Sequence, residues 1–535
     1  MQFPILSVIL FLPLAGAIGA AALPRMAGWG WAMLAALADL ALCIWLIVQF
    51  AAGVGGMQFT ESHPWLPQIG INYALGVDGI NLFLLGLNAL LTVVALGASL
   101  GFVRGSDRSR EYLALMLLLS TGMMGVFLAT NLFLFYVFWE LMLVPAYLLV
   151  GMFGGPRRAY AAIKFVLYTA VGSLLMLVGI IALGAVVSST AHTAYSLDLA
   201  TLIKNGATAL PHGTQIWLFL AFAAAFAIKS GVFPLHSWVP DTYSEAPAPV
   251  VVLIAGVMAK TGAYGFIRFN LALFPDATKS LTPLMSILAV VGILYFALQA
   301  LVARDFKRLL GYVSISHMSV IILGIFALNT QGIEGGVLQM VNHGIIIAAL
   351  FLIAAFIESR TSSRRLADFG GLATRLPWLA TVFLIAALAA LGLPGLNSFA
   401  GEFLAFLGAF QASYVFGVLG TLVVIPAAWY MLRFFQGVME GPATGVASDT
   451  VMETPTRTGK RTTRKTLRDL SWSEFAVLAP LLALMIVFGV IPGALTNRIE
   501  RSVQQLLPPI TASHTAPARH TASGRVELFG VHGQR

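Results

Sequence analysis

Cysteine occurs once in the sequence, at Cys43, inside an apolar stretch. That excludes an intrachain disulfide and any cysteine-built metal or iron-sulfur centre within the chain. Charge is scarce as well: Asp, Glu, Lys and Arg make up 10% of the residues, against about a quarter in a soluble globule. With 59% hydrophobic residues in a chain of 535, there is too little polar surface to cover a soluble fold, so the sequence reads as a polytopic membrane protein. No nucleotide, flavin or metal motif occurs, and the histidines lack zinc-site spacing. No basic residue precedes Arg25. The first hydrophobic run, after Met1-Gln2-Phe3-Pro4, is therefore expected to be retained as a span and not cleaved as a signal. The formal charge is +9, but the basic residues are scattered over short loops, the pattern of topology signals and not of a nucleic-acid face.

A bilayer crossing takes roughly 20 apolar residues, and about fourteen stretches qualify. They run near Phe3 to Leu23, Trp29 to Phe50, Ile80 to Phe102, Tyr112 to Thr130, Leu132 to Gly151, Phe165 to Val187 and Gln215 to Leu235. The rest are Val250 to Phe269, Leu281 to Ala303, Leu309 to Leu328, Gly335 to Ile357, Pro377 to Phe410, Tyr414 to Phe435 and Phe475 to Pro492. Lys and Arg alternate with the crossings. With the N-terminus outside, the inside loops take Arg25, then Arg104, Arg108 and Arg110, then Arg157, Arg158 and Lys164. Further on they take Arg304, Lys307 and Arg308, then Arg360, Arg364, Arg365 and Arg375, and finally the basic residues from Arg433 to Arg468. This bias predicts an even number of spans with both termini outside. Two segments stand apart from the bundle: a Thr-rich basic inside loop, 441–471, and a polar tail, 511–535. Both are expected to be mobile.

Glu140, Lys229, Lys260 and Glu402 are four charged side chains that each fall inside an apolar run. A charge at mid-membrane costs on the order of 3 kcal/mol even on lenient scales, so such groups normally face a bundle interior and mark an ion path. Glu140 lies near the centre of LFLFYVFWELMLVPAYLL, with Pro145 five residues on weakening the local hydrogen bonding; the alternative is a protonated carboxyl packed between helices. Lys229 precedes Pro234 in FAIKSGVFPLHSWVPDTYSEAPAP, where the helix is expected to open about one turn later. Open backbone at membrane depth is tolerated only inside protein or along a hydrated cavity. Lys260 follows in AGVMAKTGAYGFIRF, where Gly256, Gly262 and Gly265 permit close helix packing. Both lysines lie roughly ten residues from the expected span ends, beyond easy snorkelling reach. Glu402 belongs to a second broken helix, LGLPGLNSFAGEF, in which Asn397 or Ser398 is expected to cap the second half. There the half-helix dipole favours a carboxylate, and a purely capping acid is the alternative.

His317 and His343, in adjacent spans, suit a relay between Lys260 and Glu402, because imidazole titrates near neutrality; a buried, hydrogen-bonded imidazole is the competing reading. His236, two residues after Pro234, has the same ambiguity. The broken spans are the seventh and the twelfth. Five-span units 111–269 (spans four to eight) and 281–437 (spans nine to thirteen) then match in opposite orientation, as an inverted repeat, with spans one to three in 1–110 and span fourteen in 475–492. The fold class expected is all-α: a membrane bundle of about fourteen helices with two inverted five-helix repeats.

These segments, their order and the span layout resemble the antiporter-like proton-translocating subunits of respiratory complex I, in particular the M or chain 4 type of bacterial NADH-quinone oxidoreductase. The likeness covers Tyr112 to Phe435 most strongly. Related L and N types, and Mrp-type cation antiporter subunits, have Lys where this chain has Glu402. The long basic loop and extended tail depart from the family pattern. The resemblance implies proton transfer through Glu140, Lys229, Lys260 and Glu402, with His236, His317 and His343 as relay candidates. It also implies an inner-membrane location and no cofactor in this chain, with FMN and iron-sulfur clusters in partner subunits. Expected partners are L-type and N-type chains, small membrane chains, the lipid bilayer and protons, and no nucleic acid. Rival expectations are a Mrp-type sodium/proton antiporter subunit, a membrane-bound hydrogenase subunit and a non-conducting anchor.

Overall fold

The computed structural model describes residues 3–442, 451–456, 459–464 and 467–511. Among them, twelve helices are long and apolar enough to cross a membrane, and two shorter apolar helices, Leu82–Ala98 and Pro377–Ala390, accompany them. Burial divides the bundle into a core and a periphery. Ala248–Leu271 is wholly enclosed, and Phe306–Ile325 and Thr330–Thr361 nearly so, whereas Arg25–Gln49, Tyr414–Met439 and Trp472–Val490 turn most of their surface outward. The enclosed helices are the ones that carry Lys260, His317 and His343. Charge therefore sits at the centre and apolar side chains face lipid, the inverse of a soluble fold.

Glycine sets the closest approach within that core. A Cβ on Gly344 would stand 2.7 Å from the Gly256 carbonyl oxygen, and one on Gly256 would strike Leu91. Ala248–Leu271 and Thr330–Thr361 thus meet glycine on glycine, with Leu82–Ala98 against both, as small residues allow in membrane interiors. The former helix is also not uniformly α: it widens into π turns at Ile254–Met258 and Phe266–Leu271. Such turns free carbonyls for side chains, and they cluster at functional sites.

Several segments depart from the sequence reading. Between the second and third helices, Gln58–Leu66 and Ile71–Val77 pair as an antiparallel hairpin. The alternation of Ile71, Tyr73, Leu75 and Val77 is its signal. Glu61 on this hairpin accepts from the backbone N–H of Leu6 at 2.7 Å, holding the start of the first helix. The last span is Trp472–Val490, opened by a capping box of Ser471 and Glu474, and an amphipathic helix, Gly493–Thr511, follows it. That helix folds back: Ser502 Oγ accepts from Gly79 N–H at 2.9 Å and donates to the Gly55 carbonyl.

The basic loop is not wholly free of the bundle. Val451–Thr456 and Gly459–Arg464 form an antiparallel hairpin, in keeping with their many β-branched residues. Asp469 accepts from the backbone N–H groups of Trp378 and Leu379, and Arg360 binds the carbonyls of Arg468 and Asp469 together with the Glu474 carboxylate. The loop's end is therefore docked, contrary to expectation, because it supplies acceptors to the otherwise unsatisfied start of Pro377–Ala390. The expected mobile tail lies outside the described residues beyond Thr511.

Candidate functional site: a line of buried acids, bases and histidines

The helix His212–Ser230 stops one residue after Lys229, earlier than Pro234 alone requires. Gly231 ends it in a left-handed conformation, φ 71°, and its N–H reaches back to the Ile228 carbonyl. A short second half, Trp238–Glu245, resumes after the turns. Lys229 is thus nearer the helix end than the one turn expected from Pro234. It sits in the last turn of a half-helix, where the dipole's negative end favours a cation. Its Nζ is buried without a hydrogen-bond partner and lies 4.9 Å from the centre of the Trp139 ring and 5.9 Å from that of Phe165. Aromatic faces stabilise a cation without fixing it to one acceptor.

Glu140, the neighbour of Trp139, is the acid within electrostatic range of Lys229. One of its oxygens is buried and unpartnered. No ion pair within 4.0 Å joins the two, so this arrangement holds the pair apart. As the Pro145 position foretold, the helix is interrupted at Met142, between Leu132–Leu141 and Leu143–Phe153, since Pro145 cannot donate to the Leu141 carbonyl. Ser230, whose hydroxyl is also buried without a partner, packs against Gly262, two residues from Lys260.

Lys260 Nζ donates to the Ala255 carbonyl at 2.6 Å, within the first π turn, and lies 2.8 Å from His343 Nδ1. The His343 and His317 rings are stacked, centroids 5.4 Å apart and 13° from parallel. His317 Nδ1 lies 3.0 Å from Glu402 Oε1, within reach but misaligned for a hydrogen bond. Four titratable groups from four helices therefore stand in sequence: Lys260, His343, His317, Glu402. His236 is not among them. Its ring packs with Phe233, Tyr295 and Phe296, and its Nδ1 is buried without a partner.

Glu402 sits beside the second break. Pro377–Ala390 and Asn397–Ala412 are joined by 391–396, with Gly392 at φ 69° and Gly395 at φ 92°. A Cβ on Gly392 would stand 2.8 Å from Glu402 Oε2, so glycine both turns the chain and makes room for the carboxylate. Glu402 Oε1 accepts from Gln339 Nε2 at 3.0 Å and from Ser398 Oγ at 2.8 Å. The capping expectation fails here. Leu396 takes the cap position and no side chain caps the helix; Ser398 turns to Glu402, while Asn397 exchanges hydrogen bonds with Asn342. These side chains have better partners in the neighbouring helix than in their own backbone. A cavity of about 10 Å³, room for about one water, is lined by His317, Glu402, Leu391, Val423 and Tyr430, whose buried hydroxyl has no partner among the described residues.

Gln339, Tyr430 and Ser230 escaped the sequence reading, and Ser398 entered it only as a capping candidate. Gln339 was within reach of it, lying one turn before His343 on the same helix face. A buried ion pair was also missed: Arg268 holds Asp78 through two hydrogen bonds of 2.7 Å and contacts Tyr264 at 3.0 Å. Asp39, enclosed in the second helix with one oxygen unpartnered, was missed too.

Comparison with known proteins bears on the family and the fold. The family described as NADH:quinone oxidoreductase/Mrp antiporter, transmembrane, matches residues 129–425, the stretch holding Glu140, Lys229, Lys260, His317, His343 and Glu402. The chain is 38% identical to NADH-quinone oxidoreductase subunit M of Rhodobacter capsulatus, over 97% of this chain and 99% of that one. It superposes on a chain of respiratory complex I from Thermus thermophilus with a TM-score of 0.83 and 32% identity, covering 95% of this chain and all of that one. A chain of the Mrp complex from Dietzia sp. DQ12-45-1b gives a TM-score of 0.75 at 21% identity, a likeness of fold alone.

Proposed function

The chain belongs to the NADH:quinone oxidoreductase/Mrp antiporter membrane family, and from that premise we propose how it moves protons as the M-type subunit of a bacterial NADH-quinone oxidoreductase. Lys229 takes a proton from the inside. It passes by way of Ser230 and bound water to Lys260, then through His343 and His317 to Glu402, which releases it outside. The single observation that carries this reading is the close spacing from Lys260 to Glu402.

Glu140 acts as the controlling charge. Two unit charges about 4 Å apart interact by about 4 kcal/mol at an effective dielectric of 20, equivalent to about three pKa units. Bringing Glu140 up to Lys229 retains the lysine's proton, and withdrawing it leaves an ammonium in a buried site that disfavours its charge, so the proton moves on. Trp139, its ring centre 4.9 Å from Nζ, supports the ammonium until that proton leaves. The sequence Lys260, His343, His317, Glu402 then needs only ring rotations, since each imidazole accepts on one nitrogen and donates from the other. Raising one charge across 100 mV requires about 2.3 kcal/mol. Electron transfer from NADH to quinone, through FMN and iron-sulfur clusters in partner subunits, supplies it.

We place the chain in the bacterial inner membrane with both termini outside, as fourteen spans with units 111–269 and 281–437 inverted, beside L-type, N-type and small membrane chains. Alternation of the Arg-rich loops supports that topology. Glu402 in place of the lysine typical of Mrp-type chains disfavours the antiporter reading. Proton uptake per NADH by vesicles carrying the Lys229→Ala complex tests the proposal; an undiminished ratio removes Lys229 from the route.

A further inference from the structure

Three arginines from three separate segments close on one cavity. Arg304 follows Pro275–Val302, Arg365 follows Thr330–Thr361, and Arg433 projects from Tyr414–Met439; together with Val302, Ala303 and Leu366 they line a cavity of about 500 Å³. A short backbone bridge keeps the first two side by side, with Asp305 opposite Arg365 and the Leu366 N–H bonded to the Arg304 carbonyl at 2.9 Å. Arg433 Nη1 donates to the Leu301 carbonyl at 2.9 Å, which fixes its guanidinium at the rim.

The neighbouring cations are matched. Arg360 pairs with Glu474, Arg364 with Glu358 and Asp305, Arg308 with Asp241 and Lys307 with Glu358. Asp305, the acid nearest the cavity in sequence, is turned to Arg364 and to the N–H of Arg308. Among the described residues, no carboxylate lies within ion-pair distance of Arg304, Arg365 or Arg433. Three guanidiniums around one hollow, without a carboxylate among the described residues, are donors suited to an anion, and their planar forks suit phosphate oxygens.

The surface beside them names the anion's source. Leu298 is 57% exposed and Val302 70%, one turn apart; Ile425 is 69% exposed and Trp429 63%, about two turns and one turn respectively before Arg433 on the adjoining span. Apolar side chains thus run from the cavity along both membrane helices, with a tryptophan near the rim where interfacial aromatics gather. An acidic protein segment would use the arginines but leave this wall uncovered. A molecule with a phosphate at one end and acyl chains at the other uses both. We propose that Arg304, Arg365 and Arg433 form a binding site for the phosphodiester headgroup of an anionic phospholipid, whose acyl chains lie along Leu298, Val302 and Trp429. Basic pockets between membrane helices on the inner side recognise such headgroups.

The intact complex, stripped of loosely held lipid in mild detergent, is titrated with phosphatidylglycerol, phosphatidylcholine or inorganic phosphate, and tightly retained lipid is counted by native mass spectrometry. The expected result is one fewer phosphatidylglycerol per complex in Arg304→Gln/Arg365→Gln/Arg433→Gln, its affinity at that site falling on the order of a hundredfold, about fivefold per arginine. Arg433→Lys keeps the site. Phosphatidylcholine and phosphate do not fill it. Should the triple variant fail to assemble, Arg365→Gln and Arg433→Gln singly are each expected to show the fivefold loss. Equal phosphatidylglycerol counts in wild type and variants overturn the proposal. Displacement of the lipid by millimolar phosphate overturns it in favour of a free-anion site, and loss of a neighbouring subunit with lipid retained overturns it in favour of a protein contact.

Discussion

Glu402→Gln removes a proton site while keeping the side chain's shape. Gln339 and Ser398 both donate to Glu402 Oε1, and an amide oxygen can accept from them, so the helix break and its packing are expected to survive. Hydrogen bonds to a charged acceptor contribute about 1.5–3 kcal/mol each, against about 0.5–1.5 for a neutral one. The two bonds therefore hold a carboxylate charge there by about 2 kcal/mol more than they hold an amide. That difference is about thirtyfold in an equilibrium or rate, and the amide also cannot take up the proton that His317 offers from 3.0 Å. The assay is NADH-driven proton uptake in vesicles, with electron transfer to quinone followed in parallel and assembly checked by native gel. The expected outcome is a normally assembled complex with fewer protons moved per NADH and turnover at least tenfold slower, while Glu402→Asp recovers part of both. Full proton yield in the assembled Glu402→Gln complex would refute the reasoning, because the last titratable group in the sequence would then be dispensable.

His343→Phe preserves a ring in the same space but breaks the sequence between Lys260 and His317, so pumping per NADH should fall as in Glu402→Gln; His236→Phe, in an aromatic setting apart from it, should leave the ratio unchanged. An equal loss in both variants would bring His236 into the route. Gly231→Ala places a Cβ at φ 71° and 2.8 Å from Ile315 Cγ2. The left-handed conformation alone costs about 1–2 kcal/mol, so the purified subunit assembly should melt at lower temperature and pump less, and unchanged values would show that the break tolerates an ordinary residue. Asp78→Ala strands the Arg268 guanidinium in the interior, an expected cost of about 3–5 kcal/mol. The complex should assemble poorly on native gels, and Asp78→Leu/Arg268→Met should recover much of the loss.

Membrane character was legible in the sequence because composition and run length answer to the solvent, and the bilayer imposes one answer on every span. Glu140, Lys229, Lys260 and Glu402 were legible for the same reason, since an ionisable side chain deep in hydrocarbon stands out, although Asp39 and Arg268, open to the same reading, were passed over. The three helix breaks were legible through Pro145, Pro234 and Pro394, which forbid backbone hydrogen bonds locally. Where each helix stops was not. Gly231 ends its helix before Pro234 acts, and Asn397 and Ser398 decline the capping role their residue types favour, since partners from other helices compete with the local backbone.

What the chain by itself determined is which groups are charged, how deep they lie and that they must be enclosed. The tertiary structure alone decided their order. His343 and His317 are 26 residues apart in sequence, and nothing in either segment says that their rings stack, that Lys260 reaches one or that Glu402 approaches the other. Those adjacencies come from Gly256 meeting Gly344 and from the packing of four separate helices. The same holds for Arg304, Arg365 and Arg433, each an ordinary loop-end charge until packing gathers them around one hollow. Depth is a property a residue carries through its own solvation energy, whereas neighbourhood is a property of close packing between distant segments, and only the assembled bundle contains it.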